Sequence, residues 1–133
     1  HLHGLGRSLI TVRLERAPSV EVVLQRLAKA PASSFQGDWL LGKGWDQNEW
    51  PGAAFPGRND LDARFPTTPV FLMRVDHHAA WVNGEALRRA GITRDTVDPP
   101  GGRILKDANG EPTGVLVDNA MDVVEAAIPA PTR

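Results

Sequence analysis

Two short apolar runs constrain this chain more than any other feature of it. Residues 39–42, Trp-Leu-Leu-Gly, are bounded by glycines, and residues 69–75 carry Val-Phe-Leu-Met-Arg-Val behind Pro69. Runs this short and continuous read as strands buried on both faces. Around them the apolar spacing changes. Val20, Val23, Leu24 and Leu27 recur at helical intervals behind Ser19, a good N-cap, so a helix is predicted over residues 20–29. Asn59 suits the start of a short helix through Arg64, and residues 83–90 read as another, with Gly91 where a C-cap glycine belongs.

The remaining segments follow from local signals. Residues 1–6 read as a strand end running into a Gly-rich loop, and residues 9–14 as extended. Residues 31–37 read as a loop. Residues 45–57 are irregular, with turn signals at Trp50-Pro51-Gly52 and Pro56-Gly57. Asn109-Gly110 is a strong tight-turn signal and predicts a β-hairpin that closes on residues 114–117. A last helix is predicted over residues 120–127, ended by Pro129 and Pro131.

Strands that alternate with helices argue for a parallel α/β architecture. A closed (β/α)8 barrel takes about 250 residues, and this chain has 133. The expected fold is therefore one domain over residues 1–133: a partial (β/α)8 TIM barrel, its first few β/α units carrying a β-hairpin insertion. Such a piece leaves an open sheet edge, which invites aggregation or pairing into a homo-oligomer.

Composition narrows the function classes. Fifteen basic and sixteen acidic residues give a net charge of -1, so no general attraction to nucleic acid or anionic lipid is expected. No apolar run has the length of a membrane span. The chain starts with His1 rather than Met, so further sequence is expected upstream, and a cytoplasmic setting is the default. Without cysteine, any metal must be held by His, Asp, Glu or a modified Lys.

The four histidines fall in two close pairs. His1 and His3 share one face if the segment is a strand, where two imidazoles can bind one metal ion; a chain terminus or tag remnant gives the same spacing. His77 and His78 follow the second buried strand, at the end where α/β folds place ligands; a surface histidine beside a packed one is the plainer alternative. Asp76 could orient an imidazole or open the next element. Trp45, Asp46, Gln47, Asn48 and Trp50 suit either a pocket wall or a loop pinned to the core by its aromatics. Asp118, after residues 115–117, is either a metal ligand at a strand end or the N-cap of the last helix.

Three ordered blocks carry a family resemblance over nearly the whole chain. They are Gly44-Trp45-Asp46-Gln47 with Trp50-Pro51-Gly52, then Arg74-Val75-Asp76-His77-His78-Ala79-Ala80-Trp81-Val82-Asn83, then residues 110–120 from Gly110-Glu111-Pro112 to Asp118-Asn119-Ala120. In this order and spacing they resemble the amidohydrolase-3 (YtcJ-like) branch of the amidohydrolase superfamily, which includes N-substituted formamide deformylases.

The resemblance implies a barrel with a divalent metal, usually zinc, at its C-terminal face. It also implies hydrolysis of carbon–nitrogen bonds in small amide-like substrates. His1-Leu2-His3 could be the family's His-x-His metal motif intact. By its distance from Gly4-Leu5-Gly6, however, His1 is the second histidine of the motif, and this alignment is preferred. His78 matches the histidine of Asp-Gly-His-Ala-Ala-Trp-Val-Asn and is expected to face substrate beside Trp45 and Asp46. His77 replaces the family's glycine. Asp118 stands where many members carry Glu, a candidate metal ligand one methylene shorter. The family's later metal histidines and its catalytic Asp are expected beyond Arg133, in the remainder of the barrel, so the isolated chain is expected to be inactive. The competing expectation is a non-catalytic α/β module that holds a ligand or partner on the loop from Trp45 to Trp50.

Overall fold

The computed structural model of the chain describes residues 11–129. The expected features at residues 1–6, including His1 and His3, lie outside them. Strand β1 (Val12–Arg13) leads into helix α1 (Val20–Ala28). Ser19 caps α1 from extended backbone, its hydroxyl accepting from the Val22 amide at 3.3 Å. Glu21 in the first turn and Arg26 in the last complement the helix dipole. The expected loop before the first long strand contains strand β2 (Phe35–Gln36), which folds back antiparallel on β3 (Trp39–Trp45).

Next come helix α2 (Arg58–Asp62), strands β4 (Val70–Arg74) and β5 (Ala79–Val82), and helix α3 (Gly84–Arg89). The expected hairpin follows as β6 (Gly102–Lys106) and β7 (Pro112–Asp118), and α4 (Ala120–Glu125) is the last helix described. Gly91 takes φ +74 just past α3, the left-handed geometry expected of it.

The described strands form a seven-stranded sheet in the order β1-β3-β4-β5-β7-β6, with β2 beside β3. Among the described residues only β1–β3 and β3–β4 are parallel; the other pairs are antiparallel. The expectation of parallel α/β order is corrected here to a mixed sheet. The cause is the turn after β4. The His77 amide bonds to the Arg74 carbonyl at 2.9 Å and His77 takes φ +66, so the chain reverses at once. Ala79–Val82 then pairs back on β4, with Leu72 opposite Trp81 and Met73 opposite Ala80. No helix separates these two strands.

Both faces of the sheet are covered, which is why its central strands read as unbroken apolar runs. On one face Trp39, Leu41, Phe71, Met73, Ala80, Val82 and Leu116 pack with Leu87 of α3 and with Met121 and Val124 of α4. On the other, Leu40, Val70, Leu72 and Trp81 pack with Val23, Leu24 and Leu27 of α1 and Leu61 of α2. Alternate residues of β3 and β4 serve opposite cores, as the two-residue strand period requires. The helices of both parallel crossovers, α1 and α2, lie on the same face.

Asn83 ties the end of the second crossover to the start of α3. Its Oδ1 accepts from the Val70 amide at 3.0 Å and from the Ala86 amide at 3.1 Å. Its Nδ2 donates to the Phe65 and Thr68 carbonyls at 2.8 and 2.7 Å. One fully buried amide thus caps α3, starts β4 and ties down the segment between α2 and β4.

Candidate active site at the sheet edge

One edge of the sheet gathers the C-terminal ends of β3, β4 and β7 with the N-terminal ends of β5 and β6. The pairings Trp45 with Arg74, Ala79 with Val117 and Gly102 with Asp118 place them together. A bulge shapes this edge. Lys43 pairs with Met73 but Trp45 pairs with Arg74, so Gly44 is the extra residue. Gly44 takes φ +103, and a Cβ there would come within 2.6 Å of the Glu15 carboxyl carbon. The bulge brings Asp46 and Gln47 level with Arg74.

Arg74 is the centre of the polar network that results. Its Nε donates to Gln47 Oε1 at 2.9 Å, Nη2 to Asp46 Oδ1 at 3.2 Å, and Nη1 pairs with Asp76 Oδ2 at 2.8 Å. The guanidinium lies 5.9 Å from the Trp45 ring centroid, within cation–π range. Asp76 passes the contact on, its Oδ1 accepting from the His78 amide at 3.0 Å. Partial burial opposes ionisation of Asp76, but the His78 amide and the Arg74 charge outweigh it and hold its carboxyl below the usual range.

His78 and Asp118 meet at the end of this path. His78 Nδ1 lies 3.1 Å from Asp118 Oδ1, and the Asp118 amide donates to the His78 carbonyl at 2.8 Å. An ionised carboxylate only accepts, so the proton of this contact sits on Nδ1. Nε2 is then free to accept a proton or, in the imidazolium, to donate one. The imidazole is 74% exposed, so Nε2 is open to a substrate.

The expected site residues divide. His78 and Asp118 are brought together, and Asp46 is linked to them only through Arg74 and Asp76. Asp76 holds the His78 backbone rather than its ring, the ring partner being Asp118. Asp118 is not the N-cap of α4; Asn119 occupies that position, without a side-chain capping bond. Trp45 has no exposed surface, its indole N–H donating to the Leu72 carbonyl at 2.8 Å. Trp50 stacks on it at 6.0 Å and Trp81 meets it edge-on at 5.9 Å. The Trp50 and Trp81 N–H groups donate to the Ala17 and Gly57 carbonyls, both at 2.9 Å. Of the two arrangements open to this loop, the aromatic pin is the one present. A ligand-binding module built on these rings loses its contact surface.

Arg74 joins the candidate residues only in the structure. Its signal was visible: a cation ending an otherwise apolar, doubly buried strand needs partners. Among the described residues no three His, Asp or Glu side chains converge to hold a metal ion. A protein metal site takes three or four such ligands, and His78 with Asp118 supplies two groups at most. The described residues therefore do not fit a complete metal centre.

A mixed α/β sheet of this kind occurs in a solved hydrolase. The structure of an uncharacterized metal-dependent hydrolase from Pyrococcus horikoshii OT3 matches with a TM-score of 0.68 at 30% identity, over 96% of this chain and 22% of that one. The family model described as "Amidohydrolase family" matches residues 1–133, and the chain belongs to that family. It is 43% identical over 129 residues to the putative amidohydrolase YtcJ of Bacillus subtilis (strain 168), covering 97% of this chain and 24% of the relative. It is 34% identical over 91 residues to the N-substituted formamide deformylase of Arthrobacter pascens, covering 68% of this chain and 17% of the relative. The chain thus spans about a quarter or less of the length of these proteins.

Proposed function

We propose that this chain supplies one wall of the active centre of a metal-dependent hydrolase that cleaves carbon–nitrogen bonds in small amide-like substrates. The observation that carries this reading is the exposed His78–Asp118 pair, 3.1 Å apart at an edge where several strand ends meet. Catalytic groups of α/β hydrolases collect at such strand ends. Family membership and likeness to the archaeal metal-dependent hydrolase support the reaction class.

In this reading residues 1–133 are part of a catalytic (β/α)8 barrel. Parallel neighbours β1, β3 and β4, with α1 and α2 on one face, support a barrel's single direction of winding. The strands β5, β7 and β6 are then the insertion. The cofactor is a divalent metal, zinc by family likeness, with His1, His3 and Asp118 as the candidate ligands from this chain. The remaining ligands and the general base are placed in the part of the relatives' length that this chain does not span. Residues 1–133 alone are proposed to be inactive. No described helix is long and apolar enough to cross a membrane, and a cytoplasmic setting is retained as part of the proposal.

The chain's own residues divide the work. His78 meets the substrate and holds or moves a proton at Nε2. Asp118 fixes the ring's tautomer and direction. Asp46 lies beneath, orienting Arg74, while Trp45 supports the guanidinium from the core. The test is made in the full protein carrying this chain, supplied with zinc and N-substituted formamides or simple N-acyl amines. H78A is expected to lower kcat/KM on the order of a hundred-fold. Unchanged turnover in H78A, or turnover by residues 1–133 alone, would refute the proposal.

A further inference from the structure

We propose that Arg74 is a positioning residue that sets the geometry of the His78–Asp118 pair, acting through Asp76. This rests on the functional reading of that pair. All three guanidinium nitrogens of Arg74 are engaged: Nε on Gln47, Nη2 on Asp46 and Nη1 on Asp76. Asp46 is itself fixed, its Oδ1 also accepting from the Asn48 amide at 3.0 Å. Below lies Trp45, pinned to the Leu72 carbonyl in the core. Arg74 is therefore anchored on one side by a hydrogen-bonded loop.

On its other side it holds a turn that the chain would not adopt readily. Asp76 binds Arg74 through Oδ2 and the His78 amide through Oδ1. The His78 carbonyl in turn receives the Asp118 amide. The two residues flanking these bonds, His77 at φ +66 and Asp118 at φ +51, are both in the left-handed region that L side chains disfavour. One unbroken path of charge-assisted and backbone hydrogen bonds thus runs from the Trp45–Gln47 loop to the pair. Lysine could fill one of the three contacts but not all in one plane.

The test uses the full protein carrying this chain, with R74Q, R74K and D76N variants. Amide hydrogen exchange is read residue by residue. R74Q is expected to speed exchange at the His78 and Asp118 amides on the order of ten-fold, leaving Trp81 and Leu116 unchanged. R74K should fall between R74Q and the parent, and D76N should move the same two amides. Uniform acceleration across the sheet, or none at His78, overturns the proposal. If R74Q does not fold, R74K and D76N decide by the same criterion.

A kinetic cycle adds a second readout on an N-substituted formamide. R74Q is expected to lower kcat on the order of ten-fold with KM little changed, and to cause no further loss in an H78A background. Losses that multiply in full would show Arg74 acting independently of His78 and sink the proposal. Local exchange effects with H78A fully active would instead sink the functional reading and leave the positioning role standing. Where no amide tried is turned over, the exchange result decides alone.

Discussion

His78 and Asp118 are forty residues apart in the chain, yet their side chains meet at 3.1 Å and their backbones are joined by a second bond at 2.8 Å. The double tie means that the imidazole is held by both its ring and its main chain. Substitution of Asp118 should therefore act on catalysis more than on folding. D118A is expected to lower kcat/KM on the order of ten- to a hundred-fold in the full protein. D118N, which keeps an oxygen able to accept from Nδ1–H, should lose less. Steady-state kinetics with matched circular dichroism checks both, and equal losses in the two variants would rule out orientation through that bond.

His77 occupies a position where the family pattern has glycine, and its φ of +66 shows why glycine suits it. A left-handed backbone costs an L residue roughly 1–2 kcal/mol that glycine avoids, offset in part by glycine's greater freedom when unfolded. H77G is expected to stabilise the fold by about 0.5–1 kcal/mol in urea denaturation. A loss of stability would show that the exposed His77 side chain makes a contribution its geometry does not reveal.

Asn83 makes four hydrogen bonds from a fully buried amide. N83A would strand two amides and two carbonyls and remove the cap of α3, so a loss of about 3 kcal/mol is expected. N83D keeps the acceptor for Val70 and Ala86 but cannot donate to Phe65 and Thr68. It should be destabilised at neutral pH by a similar amount. Chemical denaturation of the three proteins distinguishes these outcomes from a simple capping loss of about 1 kcal/mol.

Glu125 on α4 has one carboxylate oxygen buried without a hydrogen-bond partner. Burial, reinforced by neighbouring Asp122, pushes its carboxyl up from 4.5 to about 7. The folded state therefore binds the proton more tightly than the unfolded state. The associated stability is complete below about pH 4.5 and is lost as pH rises through about 7. E125Q, which resembles the protonated form, should match the parent at about pH 4 and exceed it by about 1 kcal/mol at about pH 8, less than full linkage because the side chain is partly solvated. Thermal melts across this range provide the check, and a gap that does not widen with pH would contradict the assignment.

The parts of the fold legible in sequence were those with local causes. Ser19 capping α1, Gly91 past α3 and the Asn109-Gly110 hairpin each depend on residues within a turn of one another. The β4–β5 hairpin was not legible, because its turn runs through His77 rather than glycine and Ala79–Val82 shows no alternation when both faces are buried. The parallel order expected from strand–helix alternation failed for the same reason. In the site, His78 and Asp118 were singled out, but their contact spans forty residues and only pairing of β5 with β7 creates it. The Arg74 network is less legible, because two of its three partners, Asp46 and Gln47, reach it only through the pairing of β3 with β4, while Asp76 follows in its own turn.

The tryptophan cluster has a practical consequence. Trp45, Trp50 and Trp81 form a mutually touching trio of chromophores, with Trp39 in the opposite core. Rings so close couple their electronic transitions, and Trp45 lies directly under the Arg74 guanidinium. Near-ultraviolet dichroism and emission wavelength should therefore report on disturbance of the polar edge without any label. The chain carries its own optical gauge for the end of the sheet where Arg74 lies.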